Sequence, residues 1–211
     1  MKTLRIFLIM FFFLVEISGC SHVKEYIEIA GDNTISGKYF DTLNRYTREK
    51  TVYCEFETSI RIVATWKSRE FMDAYLSEYS RLYLLTAADK EQRGDILSDT
   101  STDLREFLFY AYTPDRESND FSKPDSVWRV FSSGEEGKRL EPLDIRELDS
   151  TPLVTKFFPY VKPYGKFYSV KFPKFPSSDN GDTMAEDGSE LVFTGVFGKI
   201  ELKWSGGKDR Y

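Results

Sequence analysis

Histidine is almost missing from this chain: His22 is the only one among 211 residues. Ser-His-Asp and Cys-His catalysis need an imidazole held by a packed shell, and His22 lies in a polar stretch near the amino terminus. A histidine-rich zinc site is excluded with them. Cysteine is nearly as scarce, with Cys20 and Cys54 alone. There is one long apolar run, Ile6–Val15, and it is too short for a membrane-spanning helix of about 20 residues. Positive charge is in deficit, 29 Lys and Arg against 34 Asp and Glu, for a net −5. An acidic chain is a poor partner for nucleic acid, whose binding rests on cations that neutralise phosphates. Gly206-Gly207-Lys208 lacks the earlier glycine and the following helix of a P-loop. The acidic group Asp179, Asp182, Glu186, Asp187 and Glu190 misses calcium-loop spacing, because from Asp179 the third, fifth and sixth positions are Gly181, Thr183 and Met184, where two oxygen ligands and the turn glycine would stand. No cofactor or metal is expected.

What is present begins with the first twenty residues. Lys2 and Arg5 precede the apolar run, and Gly19 precedes Cys20. A charged start, an apolar run of about 7–15 residues and a small-residue site make a secretory signal. Ile17-Ser18-Gly19-Cys20 resembles the lipobox of bacterial lipoproteins, with Glu16 a departure from the family pattern. The resemblance implies cleavage before Cys20, a diacylglycerol thioether on its sulfur and acylation of the new amino terminus. Ser21 resembles a signal for sorting to the outer membrane. The expected location is therefore the bacterial envelope, at the inner leaflet of the outer membrane and facing the periplasm. Two or more acyl chains hold a protein stably on a bilayer, where one does so only marginally. With Cys20 lipidated, Cys54 has no partner in the chain and no internal disulfide forms.

Three parts follow: a signal at 1–19, a tether at 20–38 and one domain at 39–211. Lys2, Arg5 and Glu16 sum to +1, so the mature chain carries −6. Hydrophobic content of 41%, with 16% aromatic, is enough for a core. Tyr39–Tyr46 reads equally as helix or strand. From Val52 to Trp66 apolar residues alternate with polar ones, the period of a half-buried strand. Its length predicts a bend or bulge near Thr58-Ser59 that divides it into two. Ser68 caps an amphipathic helix at about 69–85, with Phe71, Tyr75, Tyr79 and Tyr83 on one face. Thr86 caps a short helix through Arg93, and a polar loop runs from Gly94 to Asp103. Strands are expected at 104–113, 127–131, 151–158, 166–172, 190–194 and 199–204, with at most edge strands at 139–148, where Pro142 sits. Frequent short strands and turns predict a mainly β fold, an immunoglobulin-like β-sandwich with one inserted amphipathic helix.

Two places invite a functional reading. Cys54 falls on the apolar phase of its strand and is expected to be a buried, inert thiol. The stretch Lys156–Pro176 holds five lysines, eight aromatic residues and no acid, leaving −11 on the rest of the mature chain. Ordinary strands have lysines as polar alternates to core aromatics. The sharper reading makes Lys166, Phe167, Lys171, Lys174 and Phe175 a partner contact, with Phe167 exposed because a sandwich buries one face of each strand.

These residues point to a lipid-anchored, non-enzymatic module that binds or scaffolds an envelope protein partner and is held to the membrane through Cys20. A carrier for a small apolar or glycan ligand between the sandwich and the Phe71–Tyr83 helix is the alternative. A hydrolase using paired carboxylates comes third.

Overall fold

The computed structural model describes residues 35–54, 57–99, 104–133, 139–173 and 189–204. The larger sheet is built around β3 (Leu104–Tyr112), which carries rings on both of its phases. Such a strand suits a position with neighbours on both sides and cover on both faces. It pairs antiparallel with β2 (Glu57–Trp66) and β7 (Lys166–Pro173). Beyond these lie β1 (Thr47–Cys54) and β6 (Asp144–Leu148), giving the order β1-β2-β3-β7-β6. The second sheet has the order β5-β4-β8-β9, from β5 (Arg139–Leu140), β4 (Trp128–Ser133), β8 (Ser189–Gly195) and β9 (Gly198–Trp204). The protein is thus mainly β, with two antiparallel sheets.

The inner faces meet ring to ring. Phe107 lies 5.0 Å from Trp204, and Phe109 lies 5.0 Å from Phe193. The loop between β3 and β4 folds down over one end of this core. Its Phe121 stacks on Trp128 at 5.4 Å, and Asn119 donates to the Ala111 carbonyl oxygen at 2.8 Å while accepting from Tyr168. Buried polar groups in that loop are thereby paired, as burial requires.

Helices cover part of the outer face of the larger sheet. Helix α1 (Gly37–Tyr46) starts at Ser36, whose hydroxyl accepts from the Tyr39 amide, and buries Tyr39, Leu43 and Tyr46 at helical spacing. Helix α2 (Arg69–Leu82) is capped in the same way by Ser68 and packs on α1 through Phe71 and Tyr39, 6.2 Å apart. Helix α3 (Ala87–Asp99) is outermost, with Arg93 over the Tyr79 ring of α2 at 4.6 Å. Short helix α4 (Pro152–Phe157) brings Phe157 against Tyr39 at 5.2 Å. Phe158 follows it and sits between Phe71 and Phe167 of β7, 6.2 and 5.5 Å away.

Several expectations change here. Ile35–Lys38 belong to the folded unit rather than to the tether, because Ser36 caps α1. The long alternation at 52–66 divides into two strands, β1 and β2, and these pair with each other as a hairpin rather than continuing past a bend. The expected bulge is nevertheless at Ser59, which the β1–β2 register skips between Ile60 and Thr58. The segment expected as a strand at 151–158 is helix α4, since Thr151 caps it and Pro152 occupies its first turn, where a missing N–H costs nothing. The polar loop expected at 94–103 is helical as far as Asp99. The Phe71–Tyr83 helix packs on α1 and the Phe157–Phe158 rings.

Candidate functional site

On the outer face, beyond the helical layer, the larger sheet holds a charged groove of about 240 Å³. The register of three strands and the exit from a fourth assemble it. Glu106 of β3 is directly opposite Lys171 of β7, and Lys171 is directly opposite Asp144 of β6. One row therefore alternates acid, base, acid. In the next row Leu108 faces Ser169, and Ser169 faces Arg146. Lys67, where β2 leaves the sheet for α2, closes the end: its amide donates to the Glu106 carbonyl oxygen at 3.0 Å.

The carboxylates are already engaged. Lys67 Nζ donates to Glu106 Oε2 at 2.6 Å, and Ser169 Oγ donates to Oε1 at 2.6 Å. The Lys67 and Glu106 side chains are 18% and 15% exposed. A half-buried pair with both oxygens satisfied is held in one geometry. Arg146 donates to Asp144 at 3.2 Å, at the exposed rim. Lys171 takes part in neither ion pair. Among the described residues three cations against two carboxylates leave the groove one positive charge in excess, carried by Lys171.

This arrangement fits binding better than catalysis. A general acid or base needs a carboxyl free to exchange its proton with a substrate, and Glu106 is committed to Lys67 and Ser169. The volume is below the roughly 300–1,000 Å³ of a small-molecule pocket. It matches one charged group presented by a larger partner. The space between sheet and helices is filled by Tyr39, Phe157 and Phe158. The Tyr39 hydroxyl donates to the Phe157 carbonyl oxygen at 3.1 Å, and burial raises its pKa far above the usual tyrosine value.

The expected contact residues separate. Phe167 is 1% exposed, not a surface ring. β7 is an inner strand, and Phe158 and Tyr160 cover the face that a plain sandwich would leave wet. Lys166 lies on the opposite face from Lys171, bound to Glu147 at 3.2 Å. Of the three that are described, Lys166, Phe167 and Lys171, only Lys171 lines the groove. Lys174 and Phe175 lie outside the described residues, as do Cys20, His22, the acidic cluster up to Asp187, Gly206-Gly207-Lys208 and the side chain of Cys54. Sequence reasoning missed Lys67, Glu106, Asp144, Arg146 and Ser169. The alternation in β3, β6 and β7 places Glu106, Asp144, Arg146 and Ser169 on a face, and Lys67 lies just beyond β2, but which strands are neighbours is not written in any one segment.

Among the described residues no helix is long and apolar enough to cross a membrane, and no group of three or more His, Cys, Asp or Glu is placed to hold a metal ion. No family model, curated protein or solved structure matches the chain.

Proposed function

We propose that this chain is a lipid-anchored, non-enzymatic envelope lipoprotein, tethered through Cys20 at the periplasmic face of the outer membrane. Its work is to bind or scaffold an envelope protein partner. The observation that carries the binding half is the groove in which, among the described residues, Lys171 is the one cation outside the internal ion pairs. A carboxylate side chain or chain terminus of the partner is the complementary group, and a charge-assisted hydrogen bond is the interaction. The lipobox-like Ile17-Ser18-Gly19-Cys20 carries the anchoring half. For the two sheets we propose a sandwich of the immunoglobulin-like kind, with the β1-β2-β3 meander and the helical layer as its departures.

The two halves are tested separately. Cys20→Ala is expected to leave unprocessed chain and to abolish acyl labelling. Cleavage and membrane retention without acyl label would refute the anchor. A photo-crosslinker in place of Arg146, whose side chain is 70% exposed, should trap a discrete partner in intact cells. Lys171→Glu should remove that product and leave the fold unchanged. A product insensitive to Lys171→Glu would detach the partner from the groove.

A further inference from the structure

Leu84 is the most exposed large apolar residue of the described chain, at 88%, and Tyr83 beside it is 52% exposed. Leu84 is also the only described non-glycine residue with positive φ, 51°. The two facts have one origin. Helix α2 ends at Tyr83, and the Leu85 amide donates back to the Ser80 carbonyl oxygen at 3.0 Å. This six-residue closure is the bond of a Schellman cap, which puts the residue after the C-cap in left-handed backbone. Glycine or asparagine ordinarily stands there, because a Cβ disfavours that conformation. Here a leucine stands there and gains almost no burial in return. The fold would be more stable with glycine, so the side chain serves something outside the fold.

The place of this tip indicates what it meets. The chain enters the domain at Ser36, where the Ser36 amide and hydroxyl donate to Glu78 Oε1 and Oε2 at 2.7 and 2.8 Å. Glu78 is on α2, six residues before Leu84, which is about 9 Å of helix rise. Residues 21–34, fourteen in all, separate Cys20 from Ile35, and a chain of that length reaches no farther than about 50 Å. The end of α2 that receives the tether is thus the end that presents Tyr83 and Leu84. Tyr83 stacks on Tyr79 at 4.3 Å, so its ring is already oriented. Tyrosine suits the headgroup layer, and a leucine beside it suits the acyl boundary.

We propose that Tyr83 and Leu84 form a second, non-covalent contact with the lipid bilayer, which fixes how the anchored domain stands on the membrane. This rests on the Cys20 anchor proposed above. The groove opens near Lys67, at the other end of α2, a helix of fourteen residues and about 21 Å. A bilayer contact at Leu84 therefore leaves the Lys67 end of the groove uncovered.

The test uses the full-length lipidated protein in vesicles of phosphatidylethanolamine and phosphatidylglycerol with brominated acyl chains. Trp66, Trp128 and Trp204 are buried and supply a constant background. Emission of the Leu84→Trp variant should be quenched well beyond wild type. Tyr53→Trp, at a hairpin end of the sandwich and 66% exposed in the native residue, should not be. Flotation of the protein with unquenched Leu84→Trp emission overturns this proposal and leaves the anchor standing. Failure to float, with no acyl label, overturns the anchor and this proposal with it. A second variant guards against a trivial effect. Leu84→Gly should raise Tm by about 2–4 °C and increase the amide exchange of residues 79–85 in vesicles. A lower Tm would make Leu84 a structural residue and refute the argument from strain.

Discussion

On the inner face of the five-stranded sheet, Phe107, Phe109, Tyr168 and Phe172 meet the second sheet and are sealed from solvent. One residue along the same strands, on the outer face, Tyr110 and Phe167 are sealed just as completely, while Glu106 and Lys171 stand half-open at the groove. The inner face is closed by one continuous sheet with rings on a common period. The outer face is closed piecemeal, by α1, α4 and the residues after α4, drawn from opposite ends of the domain. The Tyr110 hydroxyl shows the difference. Among the described residues it has no hydrogen-bond partner, and burial pushes its pKa up to about 12. Gly165 passes so close that a Cβ there would lie 2.4 Å from the Tyr110 ring and 2.5 Å from the Ala111 carbonyl oxygen. A face covered by pieces buries such an unpaired hydroxyl and also leaves the groove.

The sharpest way to probe that contrast is to remove a ring from each face. Phe109 touches Tyr168 at 4.9 Å, Phe193 at 5.0 Å and Phe121 at 5.3 Å, across both sheets and the folded loop. Phe109→Ala should destabilise by about 3–5 kcal/mol in urea unfolding, the usual range for a buried phenylalanine. Phe167→Ala, covered by Phe158 and Tyr160, should fall at the lower end, because short segments relax into a cavity more readily than a sheet. An equal loss at the two sites would show the helical layer to be as rigid as the second sheet.

The next effect concerns the tie that holds the chain entry to α2. Glu78 is 5% exposed and accepts from Ser36 twice and from Arg81. Burial alone would raise its pKa, but the hydrogen bonds from Arg81 and Ser36 outweigh that and hold it below the usual carboxylate range. The unfolded carboxyl titrates near 4.3, so between that pH and the lower folded pKa the folded state binds fewer protons. Stability from this group is therefore complete above about pH 4.3 and is lost as pH falls further. Glu78→Ala should cost about 1.5–3 kcal/mol at neutral pH, the range for hydrogen bonds to a charged group. The difference between variant and wild type should shrink as the solution is acidified. A difference independent of pH would mean that Glu78 acts through packing alone.

The inner face was legible in the sequence and the outer face was not, for a physical reason. Alternation along Ile60–Trp66 and Lys199–Trp204 reports burial against a sheet directly, and the β8–β9 hairpin is where that pattern predicts it. In β7 both phases are apolar. The rule that a sandwich buries one face forced Phe167 outward, whereas α4 and Phe158, a dozen residues earlier, cover it. A local signal for that cover existed: Thr151-Pro152 is a cap followed by a proline in the first turn. Tyr39, Leu43 and Tyr46 likewise carry helical spacing. The groove was not legible because it is a property of register. Lys171 was picked out for its charge, but Glu106 and Asp144 become its neighbours only through the β3–β7–β6 pairing.

The smallest expected effect decides whether the groove belongs to the fold or to a partner. Lys171 has a carboxylate on the strand at each side, Glu106 and Asp144. Glu106 is bound to Lys67 and Ser169, and Asp144 to Arg146. If those attachments hold in solution, removing the Lys171 charge breaks no ion pair. Lys171→Met keeps most of the aliphatic stem, which packs along the strand, and should change stability by less than about 0.5 kcal/mol. Glu106→Gln is the contrasting variant, because it weakens the hold on both Lys67 and Ser169 and should cost more. A loss above about 1 kcal/mol for Lys171→Met would show that Lys171 exchanges between Glu106 and Asp144. The row would then be a closed electrostatic ladder of the outer face, as self-satisfied as the rings of the inner one. A neutral result leaves Lys171 as a charge that the fold does not use.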